Sequence, residues 1–399
     1  MRHFAFVDDQ TLAAVFDRPP GSFTADSDLA TLAVALGATL YMPGTRPALV
    51  RDVERRAATG VMSVVLCLED AIADQDLAAA QTNVVAAVRE LALRGSRPQA
   101  PLLFVRVRTA EQISDLVQQM GPAAARLTGF VLPKFTAARG SVFFEHLARA
   151  EQVAGCPLLA MPVLESPDVM YRERRPAALA AIGELLERHR DRVLALRIGA
   201  ADLAGLYALR RQRDLSVYDV GIIRDVITDV VNVLGRADGT GFVITGPVWE
   251  HLVAPDRLFK PRLRSTPFEQ DAELRERLIT DHHDELLREV VLDKANGLLG
   301  KTVIHPAHVA PVHALLVVTH EEYDDALAIM AATGGGASGS LYRNKMNEAG
   351  PHREWARALL RRAGVFGVSR AGQGVVDILA AQLPAAVSCD SPSPEVTFG

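Results

Sequence analysis

The 399-residue sequence predicts an α/β protein: a (β/α)8 (TIM) barrel with an N-terminal arm and a C-terminal helical extension. Two observations predict it. Eight short apolar runs alternate with longer amphipathic segments, the pattern of βα units in a parallel sheet. Ionisable residues then recur at the C-terminal ends of those runs, where a barrel builds its active face. A doubly wound open sheet would explain the first observation; the second favours the barrel.

Residues 1–37 read as the arm, because Asp9, Pro19, Pro20 and Gly21 interrupt any long periodicity. Strands follow at Ala38–Met42, Ser63–Leu68, Leu102–Val107, Gly129–Leu132, Leu158–Val163, Val193–Ile198, Gly241–Ile244 and Thr302–Ile304. Each is short and mostly apolar, as strands covered on both faces must be. Between them, Arg46–Thr59, Asp76–Arg94, Glu111–Met120, Ser141–Ala154, Pro176–His189, Val220–Leu234 and Ala272–Leu292 carry helical periodicity. Helices at Pro306–Val317 and Glu321–Ala332 complete a barrel domain over 38–332. Thr333–Ser340 (TGGGASGS) reads as a glycine-rich hinge. Residues 341–399 form the extension, with helices at Glu354–Ala363 and Gly374–Leu383 and a frayed end from Asp390. Behind such a hinge the extension reads as a lid over a barrel mouth, its own or a neighbour's, with a docked helical extension as the alternative.

Composition narrows the function. Hydrophobic residues at 49% and charged residues at 23% support a large core. A formal charge of −5 argues against a general nucleic-acid binder. Three cysteines without a CxxC pair make no disulfide framework. The first ten residues lack a basic segment followed by an apolar run, and no apolar stretch reaches the ~18 residues of a membrane span. A cytoplasmic enzyme without membrane partners is expected.

The strand ends carry the chemistry. They present Gly44 and Arg46, then Glu69 and Asp70, Arg106, Lys134, Glu165, Asp202 and His305. Glu69 to Arg106 and Glu165 to Asp202 are each 37 residues apart, one βα unit. Glu165 and Asp202 on consecutive strands suit a hard divalent cation, whose remaining positions take water and substrate oxygens. Capping of the following helices is the alternative for each. Arg106 lies in an apolar strand and must either face the barrel mouth or be paired; its fork suits a carboxylate or phosphate. Lys134 reads as an ion-pair partner of the nearby carboxylates before it reads as a Schiff-base lysine. His305, His308 and His313 match no ordinary zinc spacing.

Taken in order, YMPGTRP from Tyr41, LCLEDA from Leu66, VRVR from Val105, LPK from Leu132, PVLES from Pro162, GAADL from Gly199 and VIHP from Val303 resemble the citrate lyase β-subunit-like branch of the HpcH/HpaI aldolase superfamily. The segment Leu341–Glu348 with His352–Ala356 is more similar to the aldolase-like proteins of tellurite-resistance-associated operons. Cys67 stands where many members carry Asp. The resemblance implies a Mg²⁺-dependent carbon–carbon lyase or aldolase, with Mn²⁺ as the alternative ion. Glu165 and Asp202 would hold the metal, and Arg106, Asp70 and Glu69 would serve catalysis. Arg46, Gly44, Lys134 and His305 would face the substrate. Retro-aldol or retro-Claisen cleavage through a metal-stabilised enolate is expected, on a small oxo or hydroxy acid, with CoA-thioester and phosphorylated forms both admitted. Phosphoenolpyruvate-type Mg²⁺ chemistry and a non-catalytic scaffold subunit are the alternatives. Self-association into a homo-oligomer is expected.

Overall fold

Eight parallel strands close on themselves: β2 (Ala38–Pro43), β3 (Ser63–Cys67), β4 (Leu102–Arg106), β5 (Gly129–Leu132), β6 (Leu159–Leu164), β7 (Leu196–Ile198), β8 (Ile244–Trp249) and β9 (Lys301–Val303), with β9 pairing back onto β2. The computed structural model describes residues 1–95, 99–251, 284–333 and 336–382. The predicted segment 272–283, His282, His283 and residues 383–399 lie outside them. The barrel predicted from the sequence is the barrel observed.

Local chemistry sets most element ends. Helix Ala137–Ala154 begins four residues before the predicted start because Thr136 caps it, its hydroxyl accepting the Arg139 amide at 3.2 Å, and it stops at Gly155 in the left-handed region (φ 71°). Gly129 lets β5 and β6 approach: a Cβ there would lie 1.8 Å from the Leu159 carbonyl oxygen.

One strand departs from expectation. β8 runs Ile244–Trp249, whereas Gly241–Ile244 was predicted. Gly246 and Pro247 argue against a strand by propensity, since proline cannot donate to a ladder. Register against β9 slips between Gly246 and Trp249, and that irregularity accommodates the proline.

The arm is more structured than its breaker residues imply. It holds helices Asp9–Val15 and Leu29–Ala35, capped by Asp8 and Asp28, and a short strand, β1 (Phe16–Arg18). The hinge stretch contains β10 (Ala337–Gly339), paired in a hairpin with β11 (Met346–Glu348). Beyond it, helix Arg353–Phe366 packs on helices Leu29–Ala35 and His320–Ala331, and β12 (Val368–Ser369) pairs with β1. Glu354, Arg357 and Arg361 of that helix share a cleft with Val193, Val243 and Leu299, at the strands' N-terminal ends. The part of the extension read as a lid thus sits, from Arg353 to Ser369, at the end of its own barrel opposite the mouth.

Arm and extension meet at two buried histidines. His3 stacks on Phe366, with centroids 4.1 Å apart, and meets His313 edge-on at 4.6 Å. His313 Nε2 accepts the Ala38 amide at 3.1 Å, so the ring must stay neutral at that atom. Burial holds His313 down to about 3, and burial, with His313 beside it, holds His3 well below the usual histidine range. Both folded values lie below the unfolded one. Stability is therefore complete above about pH 6.5 and is lost as pH falls toward about 3. His313 is expected to contribute a slope of about 1.4 kcal/mol per pH unit within that window, and His3 adds to it in the same direction. Urea denaturation from pH 4.5 to 7 checks this, with His3→Phe/His313→Gln flattening the dependence.

Candidate active site

The C-terminal ends of the barrel strands bring five of the predicted residues into one ionic network. Arg106, at the end of β4, lies between three carboxylates. Its Nη2 is 2.8 Å from Glu69 Oε2, 3.2 Å from Asp70 Oδ2 and 3.1 Å from Glu165 Oε1. Lys134 Nζ donates to Glu69 Oε1 at 2.9 Å and to Asp70 Oδ1 at 3.5 Å. Lys134 adopts a left-handed backbone (φ 49°), unusual for a residue with a Cβ, and its amide donates to Glu165 Oε1 at 2.8 Å. The strained turn after Pro133 thus fixes one Glu165 oxygen. The other rests against Gly199, where a Cβ would lie 2.1 Å from Oε2, so only glycine leaves the carboxylate its place.

Asp202 stands in the first turn of helix Ala200–Gly205, just past β7. It lines, with Asp70, Arg106 and Glu165, a cavity of about 380 Å³ at the barrel mouth. Burial pushes Glu165 up to about 7; Arg106 opposes the shift and Asp202 adds to it. Burial and the charge of Asp70 raise Asp202. Burial also raises Glu69. Asp70 is half exposed, and although burial works upward on it too, its hydrogen bond to Glu69 and the charges of Arg106 and Lys134 hold it below the usual carboxylate range. The hydrogen bond to Glu69 raises Lys134, which stays a cation.

The remaining predicted residues lie outside the cavity lining. Arg46 Nε pairs with Asp52 at 2.8 Å. Gly44 packs on Leu68, which a Cβ would approach to 2.8 Å. His305 caps a helical turn by accepting the Ala307 amide at 3.2 Å. Tyr41 and Arg197 are among the lining residues that escaped sequence reasoning. The signal for Arg197 was available: like Arg106, it is a lone charge inside an apolar strand.

A family model described as C–C bond lyase of the TIM-barrel fold matches residues 30–368. The chain belongs to this family of carbon–carbon bond lyases. No curated protein matches it. Among solved structures, the lyase is similar to the citrate lyase of Burkholderia xenovorans LB400 at 16% identity, over 88% of this chain and 96% of that one, with a TM-score of 0.58. It is also similar to CitE of Mycobacterium tuberculosis, solved with magnesium, acetoacetate and coenzyme A, at 22% identity over 83% and 99% of the two chains, with a TM-score of 0.51. At these identities the likeness is one of fold.

The lyase's donor set suits a hard cation. Glu165 is buried and Asp202 half-buried, and the charge of Asp202 adds to the rise of Glu165, an arrangement a divalent cation relieves. Among the described residues no group of three or more His, Cys, Asp or Glu side chains is placed to hold a metal unaided. A two-carboxylate site that leaves positions for water and substrate oxygens is the Mg²⁺ pattern rather than the zinc one. The buried Arg106 Nε lacks a hydrogen-bond partner, a donor available to a substrate oxygen.

Proposed function

We propose that this lyase cleaves, or in reverse forms, a carbon–carbon bond in a small oxo- or hydroxy-acid substrate, with Mg²⁺ (Mn²⁺ as the alternative) held by Glu165 and Asp202. The observation that carries the reading is one cavity holding a repelling carboxylate pair beside a charge-saturated arginine with a spare buried N–H. When bound, the ion supplies Lewis-acid polarisation of the substrate oxygens. Asp70, ionised and the most accessible of the carboxylates around Arg106, takes the substrate hydroxyl proton. The oxygen's electrons close a carbonyl, and the carbon–carbon pair passes to the departing fragment as an enolate. Arg106 faces the developing negative charge from a position already fixed by Glu69 and Glu165, so no reorganisation is needed. Lys134 donates to Glu69 and opposes the upward pull of burial on it. Magnesium bound in the CitE structure accords with the reading. We place the chain, by its Leu341–Ala356 motif, nearest the aldolase-like proteins of tellurite-resistance-associated operons.

The test is calorimetric titration of Mg²⁺, repeated with oxaloacetate, pyruvate or glyoxylate present. Binding that strengthens with a 2-oxo acid supports the reading, and its absence under every condition overturns it. EDTA is expected to abolish turnover of any substrate found. Borohydride with a 2-oxo acid is expected to leave Lys134 unmodified by mass spectrometry, because its ammonium is held protonated by Glu69. Covalent trapping at Lys134 with activity surviving EDTA would replace the metal mechanism with a Schiff-base one.

A further inference from the structure

Arg197 is a buried charge for which no carboxylate among the described residues serves as counter-ion. It lies on β7 and is 2% exposed. Its guanidinium reaches across the interior to neutral acceptors: Thr302 Oγ1 at 2.7 Å from Nη1, Thr39 Oγ1 at 2.8 Å from Nη2, and Met161 Sδ at 3.4 Å. Tyr41 covers it, the ring centroid 5.7 Å from Cζ. No carboxylate among the described residues pairs with it. Barrel interiors are ordinarily filled by branched apolar side chains, and burying an unpaired charge among them is costly.

The same guanidinium lines the cavity that holds Glu165 and Asp202. The two arginines of that cavity differ in what they can offer. The charge of Arg106 is already shared among three carboxylates, whereas Arg197 is met by hydroxyls and a thioether. An anion entering the mouth would find its uncompensated partner at Arg197. The planar fork favours a carboxylate-like group over a spherical ion.

We propose that Arg197 is a specificity-determining residue, which selects substrates carrying a second anionic terminus that enters the barrel and becomes the counter-ion that none of the described residues supplies. The proposal rests on the reading of this cavity as an oxo-acid site. It narrows the substrate class to diacids, or acids ending in phosphonate or phosphate, with the two charged ends at opposite sides of the reacting carbons.

Calorimetry with saturating Mg²⁺ tests it on two matched pairs: oxaloacetate against 2-oxobutyrate, and 2-oxoglutarate against 2-oxopentanoate. Within each pair only the far terminus changes, from carboxylate to methyl. Wild type is expected to prefer the diacid of at least one pair by about tenfold or more, the worth of one charge-assisted contact. Phosphonopyruvate serves as a further arm, and tighter binding than oxaloacetate identifies the terminus as phosphonate-like. Arg197→Met is expected to bring the preference below threefold while leaving the monoacid's affinity within a factor of two. Arg197→Lys and Thr302→Val, one keeping charge without the fork and the other removing a hydroxyl partner, give intermediate preferences and serve if Arg197→Met does not fold. A preference that survives loss of the guanidinium, or a wild type that takes both members of each pair alike, overturns this inference alone. A wild type that binds none of the acids overturns the oxo-acid reading with it.

Discussion

Glu165→Gln is expected to lower Mg²⁺ affinity by more than ~100-fold, beyond the 10–100-fold that loss of an outer partner typically costs. It is also expected to leave the metal-free protein at least as stable as wild type at pH 8. The two effects have one cause. The Glu165 side chain is 1% exposed, and its Oε1 already receives Arg106 and the Lys134 amide. A glutamine carbonyl can accept both bonds, so the packing survives. The negative charge does not survive, and the charge is what a cation needs. Burial raises the folded value to about 7, well above that of an unfolded glutamate. The stabilising contribution of its proton is therefore full below the unfolded value and is lost as pH rises through about 7. Removing the ionisable group removes that loss. Calorimetry and thermal melts with and without EDTA read both effects. A variant that binds Mg²⁺ normally would dismiss Glu165 as a ligand.

Arg106→Met is expected to lose both activity and stability. The guanidinium lies between Glu69 and Glu165, both buried, and its removal leaves two carboxylates facing each other across an apolar side chain. Breaking such a pair typically costs about 3–5 kcal/mol, moderated when the carboxylates take up protons instead. The expected fall in stability is therefore smaller at pH 5 than at pH 8, the opposite of the trend set by His3 and His313. Catalysis is expected to fall by about 10²–10³-fold, the usual cost of one preorganised donor to a developing oxyanion. Arg106→Lys keeps a charge but cannot span three acceptors, so it is expected to recover stability better than activity. Chemical denaturation at both pH values and kcat/KM on a metal-dependent substrate separate the two losses. An equal loss of stability at both pH values would show that Glu69 and Glu165 are not strained by the substitution.

Much of the barrel is legible along the chain because each βα unit is local. The apolar runs at Ser63, Leu102 and Gly129 need only the rule that doubly covered strands are apolar throughout. Arg106, Glu165 and Asp202 stood out for the converse reason, as charges where a core strand or its end should hold none or few. Arg197 satisfied the same rule and was passed over, because it lies mid-strand rather than at a strand end. β8 was misplaced because propensity alone rejects Gly246-Pro247, and only pairing against β9 shows where an irregular register tolerates a proline.

The chain's pattern by itself determined the fold class, the order of the strands and which residue types gather at their ends, since periodicity and strand-end position are properties of consecutive residues. Tertiary structure alone decided which of those residues share a site. It tied Arg46 to Asp52 and His305 to its own turn, joined Glu69, Asp70, Glu165 and Lys134 in one network around Arg106, and aimed Arg197 inward at two hydroxyls. It also carried residues 353–369 of the extension to the far end of its own barrel, through contacts between residues hundreds of positions apart, such as β1 with β12. Such contacts depend on closure of the barrel and on side-chain direction, and neither is written in local spacing.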